Sequence, residues 1–237
     1  MESLVVGVAQ DDARENRLID LFNLDQAPDR VRHGTDAILK LDGRQYEFEL
    51  KSVTTKSGGI STVRDLGPDH IAKWRNKHWI MAYFEGSKLL HCLYGSPDAM
   101  RPWIEDKWSY IKADFEMAKY VPKHITLDTM YEILGEKPFY TLADAKKLHK
   151  NQMTAAEYKA ALDGVEGYSA GRMLEIFKDR ARYVIERGST LNNPHIADGY
   201  LSCWPKIDRD YAAELRRLVN QYRSSKPLPS PEPNETP

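Results

Sequence analysis

The stretch from Ile38 to Lys51 constrains this chain more than any other. Residues 38–41 and 44–50 are short apolar-polar runs on either side of Asp42-Gly43, a dipeptide suited to the positive φ angles of a two-residue hairpin turn. In the second run Tyr46, Phe48 and Leu50 alternate with Glu47, Glu49 and Lys51. Successive strand residues point to opposite faces. The first three therefore define a core side, and the last three a polar side onto which Asp36, just before the hairpin, can also fold.

Two carboxylates and a lysine gathered in this way have a chemical use. Oxygen ligands hold a divalent cation while leaving places for water and phosphate, and such an ion activates water and relieves charge on a phosphodiester. Asp36 and Glu49 are the candidate ligands, joined by the main-chain carbonyl of Leu50. Lys51 is the candidate for orienting or activating water and stabilising developing negative charge. A surface hairpin laced by salt bridges would use the same residue types, because Glu-x-Lys is a common pattern.

The 237 residues suffice for one substantial core with a smaller helical lobe. With 34 basic against 35 acidic residues the formal charge is -1. That balance provides no global positive field and argues against a histone-like protein or a bulk DNA coat, although a local basic face can still bind a duplex. No apolar run reaches eighteen residues and the opening segment lacks the features of a secretory signal, so a cytoplasmic protein with no membrane partner is expected. Cys92 and Cys203 are too few and too far apart for a disulfide scaffold or a thiolate zinc site, and both are expected in the core.

Apolar spacing predicts an N-terminal helix over 12–24, a helix opened by Pro68 and running to 76, and core strands over 79–84 and 88–94 around Glu85-Gly86-Ser87. The segment 53–66, with Gly58-Gly59 and Ser61-Thr62, lacks sustained periodicity and reads as a recognition loop. Residues 97–115 look helical, and 122–134 suggest a turn followed by a helix. After Gly135-Glu136-Lys137-Pro138, helices are expected over 142–149, 154–162, 170–186 and 208–223, with Thr154 and Glu157 forming a capping box. The turn Asn192-Asn193-Pro194-His195 has no catalytic warrant of its own. The implied division is 1–136 for the core with its N-terminal helix, 137–223 for a helical extension, and 224–237 for a proline-rich disordered tail.

Several motifs occur together and in order: Gly34-Thr35-Asp36-Ala37, Tyr46-Glu47-Phe48-Glu49-Leu50-Lys51-Ser52, Ser61-Thr62, Ile71-Ala72-Lys73-Trp74-Arg75 and Trp79-Ile80-Met81-Ala82-Tyr83, then more loosely Asp106-Lys107-Trp108. Over roughly residues 30 to 135 they resemble the PD-(D/E)xK nuclease superfamily, and within it the PvuII-like type II restriction endonucleases. The resemblance implies a mixed α/β fold, with a restriction-endonuclease-like central sheet flanked by helices and here a C-terminal helical extension. It implies Asp36 and Glu49 as metal-binding acids, Lys51 as catalytic lysine, and Mg2+ as cofactor, with Mn2+ able to substitute. It further implies a homodimer that cuts both strands of double-stranded DNA at a short symmetric site, accompanied by a cognate DNA methyltransferase. A repair or structure-selective endonuclease would use the same chemistry. A noncatalytic DNA-binding protein on this fold is opposed by the retention of Asp36, Glu49 and Lys51.

Two departures from the family pattern stand out. His33 replaces a glutamate that precedes the first catalytic aspartate, leaving Glu47 as the nearest substitute. Val63-Arg64-Asp65 follows Ser61-Thr62 where the relative has a histidine run. Arg64 and Asp65 are therefore candidate major-groove readers of a different target, since arginine pairs with guanine and aspartate accepts from cytosine; pairing with each other or a neighbouring carboxylate is the structural alternative. Ser61 and Thr62 suit a phosphate, a base edge or turn capping equally. Lys73, Arg75 and Lys77 suit backbone phosphates or the C-terminal end of their own helix.

Overall fold

The computed structural model describes residues 2–26, 34–54, 58–165 and 167–226, the first ten of these as backbone only. His33 and the expected tail beyond 226 lie outside the described residues. The chain opens with α1 (Glu2–Phe22) and continues through β1 (Asp25–Gln26), β2 (Ala37–Leu41) and β3 (Arg44–Thr54). The hairpin forms as its sequence predicts. Asp42 and Gly43 have φ angles of 50° and 73°, and this double left-handed turn matches the twist of the flanking strands. Then come β4 (Gly59–Ser61), α2 (Pro68–Trp74), β5 (His78–Glu85), β6 (Lys88–Gly95) and α3 (Pro97–Tyr120). Pro68 sits in the first turn of α2, where its missing N–H costs nothing.

After a 3-10 turn at Val121–His124 the chain forms α4 (Leu127–Leu134), β7 (Tyr140–Thr141), α5 (Leu142–His149), α6 (Ala155–Ala160), β8 (Gly167–Tyr168) and α7 (Ala170–Ser189). Thr154 caps α6 and Glu157 reaches back to the Thr154 amide, the reciprocal box that the sequence predicts. Thr141 and Asp144 do the same for α5. These elements share a core of Met130, Tyr140, Ala145, Tyr158, Tyr168, Met173 and Ile176.

The chain ends with β9 (His195–Ala197), α8 (Asp198–Leu201), β10 (Lys206–Ile207) and α9 (Tyr211–Ser224). The main sheet has the order β1-β2-β3-β5-β6-β10. Among the described residues only its β3–β5 pairing is parallel; Phe48 lies beside His78 and the register continues to Thr54 beside Phe84. Leu18, Ile19 and Phe22 of α1 pack with Leu39, Phe48, Leu50, Ile80, Ala82 and Cys92 of the sheet and with Leu215, Leu218 and Val219 of α9. Arg216 of α9 donates to the Phe22 and Asn23 carbonyls, each at 3.0 Å, and so satisfies the open end of α1. The result is the mixed α/β sheet flanked by helices of a restriction-endonuclease-like fold, with extra C-terminal helices.

Several details differ from the sequence reading, among them the start of α1 at Glu2 and the ends of β3 at Thr54 and α3 at Tyr120. The segment expected as a loop contains β4, which pairs antiparallel with β9; three residues with a glycine are too few to show a period. Met1–Asp106 and Asn192–Pro237 form one compact unit and Lys107–Leu191 another, so the expected break after 136 is not where the contacts divide. The cause lies in Ile207, Leu215, Leu218 and Val219, which are buried in the sheet core. Cys92 is buried as expected, but Cys203 is exposed.

Candidate active site

The ladder between β2 and β3 reaches its last pair at Ala37 and Phe48. Beyond that point Asp36 replaces a strand partner. Its amide donates to the Phe48 carbonyl at 3.3 Å, and its Oδ2 accepts from the Leu50 amide at 2.8 Å. Glu49 and Lys51, two residues apart on β3, share a face, and Lys51 Nζ donates to Glu49 Oε1 at 2.8 Å. On the other side of β3, Trp79 and Met81 of β5 stand beside them and are fully buried. Glu49 is itself only 3% exposed, so the polar face lies at the margin of an apolar layer.

Two further lysines converge on Glu49. Its Oε2 is 3.2 Å from Lys73 Nζ and 3.7 Å from Lys77 Nζ, and Lys77 Nζ is also 3.9 Å from Glu47 Oε2. Thr35 Oγ1 donates to that Glu47 oxygen at 2.9 Å. Burial opposes charge on Glu49, yet Lys51, Lys73 and Lys77 outweigh it and hold the carboxyl at about 2. Burial likewise opposes charge on Lys51, but Glu49 and Asp36 raise it above the ordinary lysine value. Asp36 moves upward through burial and the neighbouring Glu49 charge, against the pull of Lys51 and the Leu50 amide. Burial lowers Lys77.

The residues fit a hard divalent cation on the grounds of their donor chemistry. Among the described residues no group of three or more His, Cys, Asp and Glu could hold a metal. A magnesium site, however, typically takes one or two carboxylates and keeps several waters. Asp36 and Glu49 provide that number; Glu49 Oε2 makes no hydrogen bond and is ion-paired with Lys73 and Lys77. Lys51 borders a cleft of about 290 Å³ whose other walls are Leu50, Ser52, Ser61, Thr62, Glu15 and Leu18.

The remaining candidates from the sequence are dispersed. Ser61 and Thr62 border the cleft, and each is tied to the 193–195 segment: Ser61 Oγ lies 3.2 Å from His195 Nε2, and Thr62 Oγ1 donates to the Pro194 carbonyl at 2.8 Å. Arg64 is exposed, and Asp65 is half-buried in a turn with φ at 56°. Lys73 faces Glu49, whereas Arg75 donates to Glu105 Oε1 at 3.1 Å. Sequence reasoning missed Lys77 as a member of the cluster. Its only signal is the parallel register, which sets His78 beside Phe48 and so brings residue 77 level with Glu47.

Residues 5–133 match the family model of the restriction endonuclease PvuII, just over half of the chain. The chain belongs to the PvuII restriction endonuclease family. No curated protein matches it. The match to the PvuII family takes in Asp36, Glu49, Lys51 and the whole of the hairpin, and it stops before β7. The edge strand β10 and the packed helix α9 lie outside the matched region. No helix among the described residues is long and apolar enough to cross a membrane.

Proposed function

We propose that the protein is a Mg2+-dependent type II restriction endonuclease that hydrolyses phosphodiester bonds in both strands of duplex DNA at a short palindromic sequence. The observation that carries this reading is the meeting of Asp36, Glu49 and Lys51 at one end of the parallel strand pair, with the Leu50 amide clamping Asp36. Asp36, Glu49 and the Leu50 carbonyl would hold Mg2+, with Mn2+ able to substitute. The ion would supply Lewis-acid charge to the scissile phosphate and to water. Glu49 holds the Lys51 ammonium in place, where its raised pKa keeps it charged. That suits orientation of water and stabilisation of negative charge developing on the phosphate. Ser61, Thr62, Arg64 and Asp65 would contact the DNA near the cleft; Lys73 and Arg75 would contribute positive charge to its backbone. A homodimer would give each strand its own site, a methyltransferase of matching specificity would protect host DNA, and the setting would be the cytoplasm.

Digestion of fully sequenced, unmethylated DNAs with Mg2+, followed by sequencing of the fragment ends, tests this. Recurrent ends at one sequence are expected. Intact DNA with the folded protein and metal present would refute the reading, and cleavage confined to mismatches, flaps or lesions would replace it with a repair nuclease. Asp36→Ala should abolish metal-supported cleavage while retaining DNA binding; equal loss of both would make Asp36 structural.

A further inference from the structure

Glu47 and Glu49 stand two residues apart on β3 and so share a face of the strand. The Lys77 ammonium reaches both: its Nζ is 3.7 Å from Glu49 Oε2 and 3.9 Å from Glu47 Oε2. Its side chain is only 1% exposed, and Nζ makes no hydrogen bond. The main chain on either side is fixed. The Lys77 amide donates to the Trp74 carbonyl at 3.2 Å, just past the end of α2. The next residue, His78, has its Nδ1 2.8 Å from the Tyr94 hydroxyl and its ring stacked on Phe48 with centroids 5.2 Å apart. Trp74 and His78 are themselves buried. A surface lysine keeps its head in water and can swing away from a stronger cation; this one is walled in. The oxygens that it faces are also committed elsewhere, since Thr35 Oγ1 donates to Glu47 Oε2 at 2.9 Å and Lys73 Nζ lies 3.2 Å from Glu49 Oε2.

We propose that the Lys77 ammonium occupies the place of a second metal ion, so that each active site of this protein holds a single divalent cation. The proposal rests on the nuclease reading above and fixes the number of ions that this reading requires. With His33 where the family has a glutamate, Glu47 is the carboxylate left to supply a second ion beside Glu49. An ion held by those two carboxylates would meet the ammonium that already lies against both. Like charges at such separations repel strongly where water is excluded. Charge balance points the same way. Asp36, Glu47 and Glu49 are matched by Lys51, Lys73 and Lys77, so the cluster carries no net charge. One divalent ion and one phosphodiester leave a single positive charge there, and a second ion would leave three. Asp36 and Glu49 remain for the one ion, while Lys77 supplies fixed positive charge that requires no metal.

Titration of the full-length chain with Mn2+, followed by electron paramagnetic resonance, tests the count, because two ions in one site give a spin-coupled spectrum and one ion does not. The unmodified protein is expected to bind one Mn2+ per chain without a coupled signal. Lys77→Met, with an unchanged circular dichroism spectrum, should admit a second, spin-coupled ion and bind the first roughly tenfold or more tightly, since a positive charge close by has gone. Lys77→Arg should keep the count at one, and adding Glu47→Gln to Lys77→Met should return it to one. Glu47→Gln alone should leave the single ion in place. The proposal is overturned by a coupled pair in the unmodified protein, by no bound Mn2+, by a folded Lys77→Met protein that still takes a single ion, or by loss of that ion in Glu47→Gln. A coupled pair would leave the nuclease reading standing; failure of the unmodified protein to cut DNA would refute that reading separately and leave the ion count to the resonance spectrum.

Discussion

Replacing Glu49 by glutamine removes one charge from the buried centre of the site and almost no volume. The carboxyl is held at about 2 against an ordinary 4.5. At about 1.4 kcal/mol per pH unit, that gap makes the ionised form about 3 kcal/mol more favourable in the fold than in the unfolded chain. Some of this returns at Asp36, because the Glu49 charge opposes Asp36 ionisation, and the glutamine carbonyl can still accept from Lys51. A net loss of about 2 kcal/mol at pH 7 is expected. With a urea dependence of about 3 kcal/mol per molar, the midpoint should fall by roughly 0.7 M. The sign with pH follows from a depressed carboxylate. Its stabilisation is complete above about 4.5 and disappears as pH falls through about 2, so wild type and Glu49→Gln should converge on acidification. Urea titrations at pH 7, 4 and 3, followed by circular dichroism, provide the assay. Equal midpoints at pH 7, or a gap that persists undiminished at pH 3, would refute the ion-pair account of Glu49.

Lys51→Met should lower Mg2+-supported cleavage by roughly 10²–10³-fold, the scale of removing one electrostatic stabiliser, while gel-shift affinity for the target duplex stays within a few-fold; parallel losses would argue against a role in the reaction. Burial holds His78 at about 4 with its Nδ1 2.8 Å from the Tyr94 hydroxyl. Stability should therefore be lost as pH falls from 6.5 through 4, and His78→Phe should flatten that part of the profile in pH-dependent urea midpoints; an unchanged slope would assign the acid sensitivity elsewhere. A Cβ on Gly95 would lie 2.2 Å from the Trp204 ring, so Gly95→Ala should cost about 1–3 kcal/mol of stability by overpacking. A melting temperature equal to wild type would mean that the indole moves aside freely.

Local chemistry explains which parts were legible in the sequence. Asp42-Gly43 specifies a turn through the backbone angles those residues tolerate, and the alternation after it specifies a strand through the pleat. The Thr154 box is equally local, its two bonds spanning three residues. Strands β2, β5 and β6 appeared within a residue of their ends for the same reason, whereas β3 runs four residues past its expected end. By contrast, β4 and β9 are three residues each and are separated by more than 130 positions, so neither has a period and only their pairing identifies them. Lys77 looked like one of several charges at a helix end until the parallel register brought it against Glu47 and Glu49.

The sequence by itself determined the β2–β3 hairpin, the placement of Glu49 and Lys51 on one strand face, the nearby Asp36, and membership of a nuclease family, because each depends on residue types at short spacing. Tertiary structure decided how deeply Glu49 is buried, which lysines surround it, and the return of the C-terminal segment to the sheet. It also decided that His195 stands beside Ser61. Those outcomes depend on which distant surfaces exclude water from one another and on the register in which strands pair, and neither is written in any local stretch of the chain.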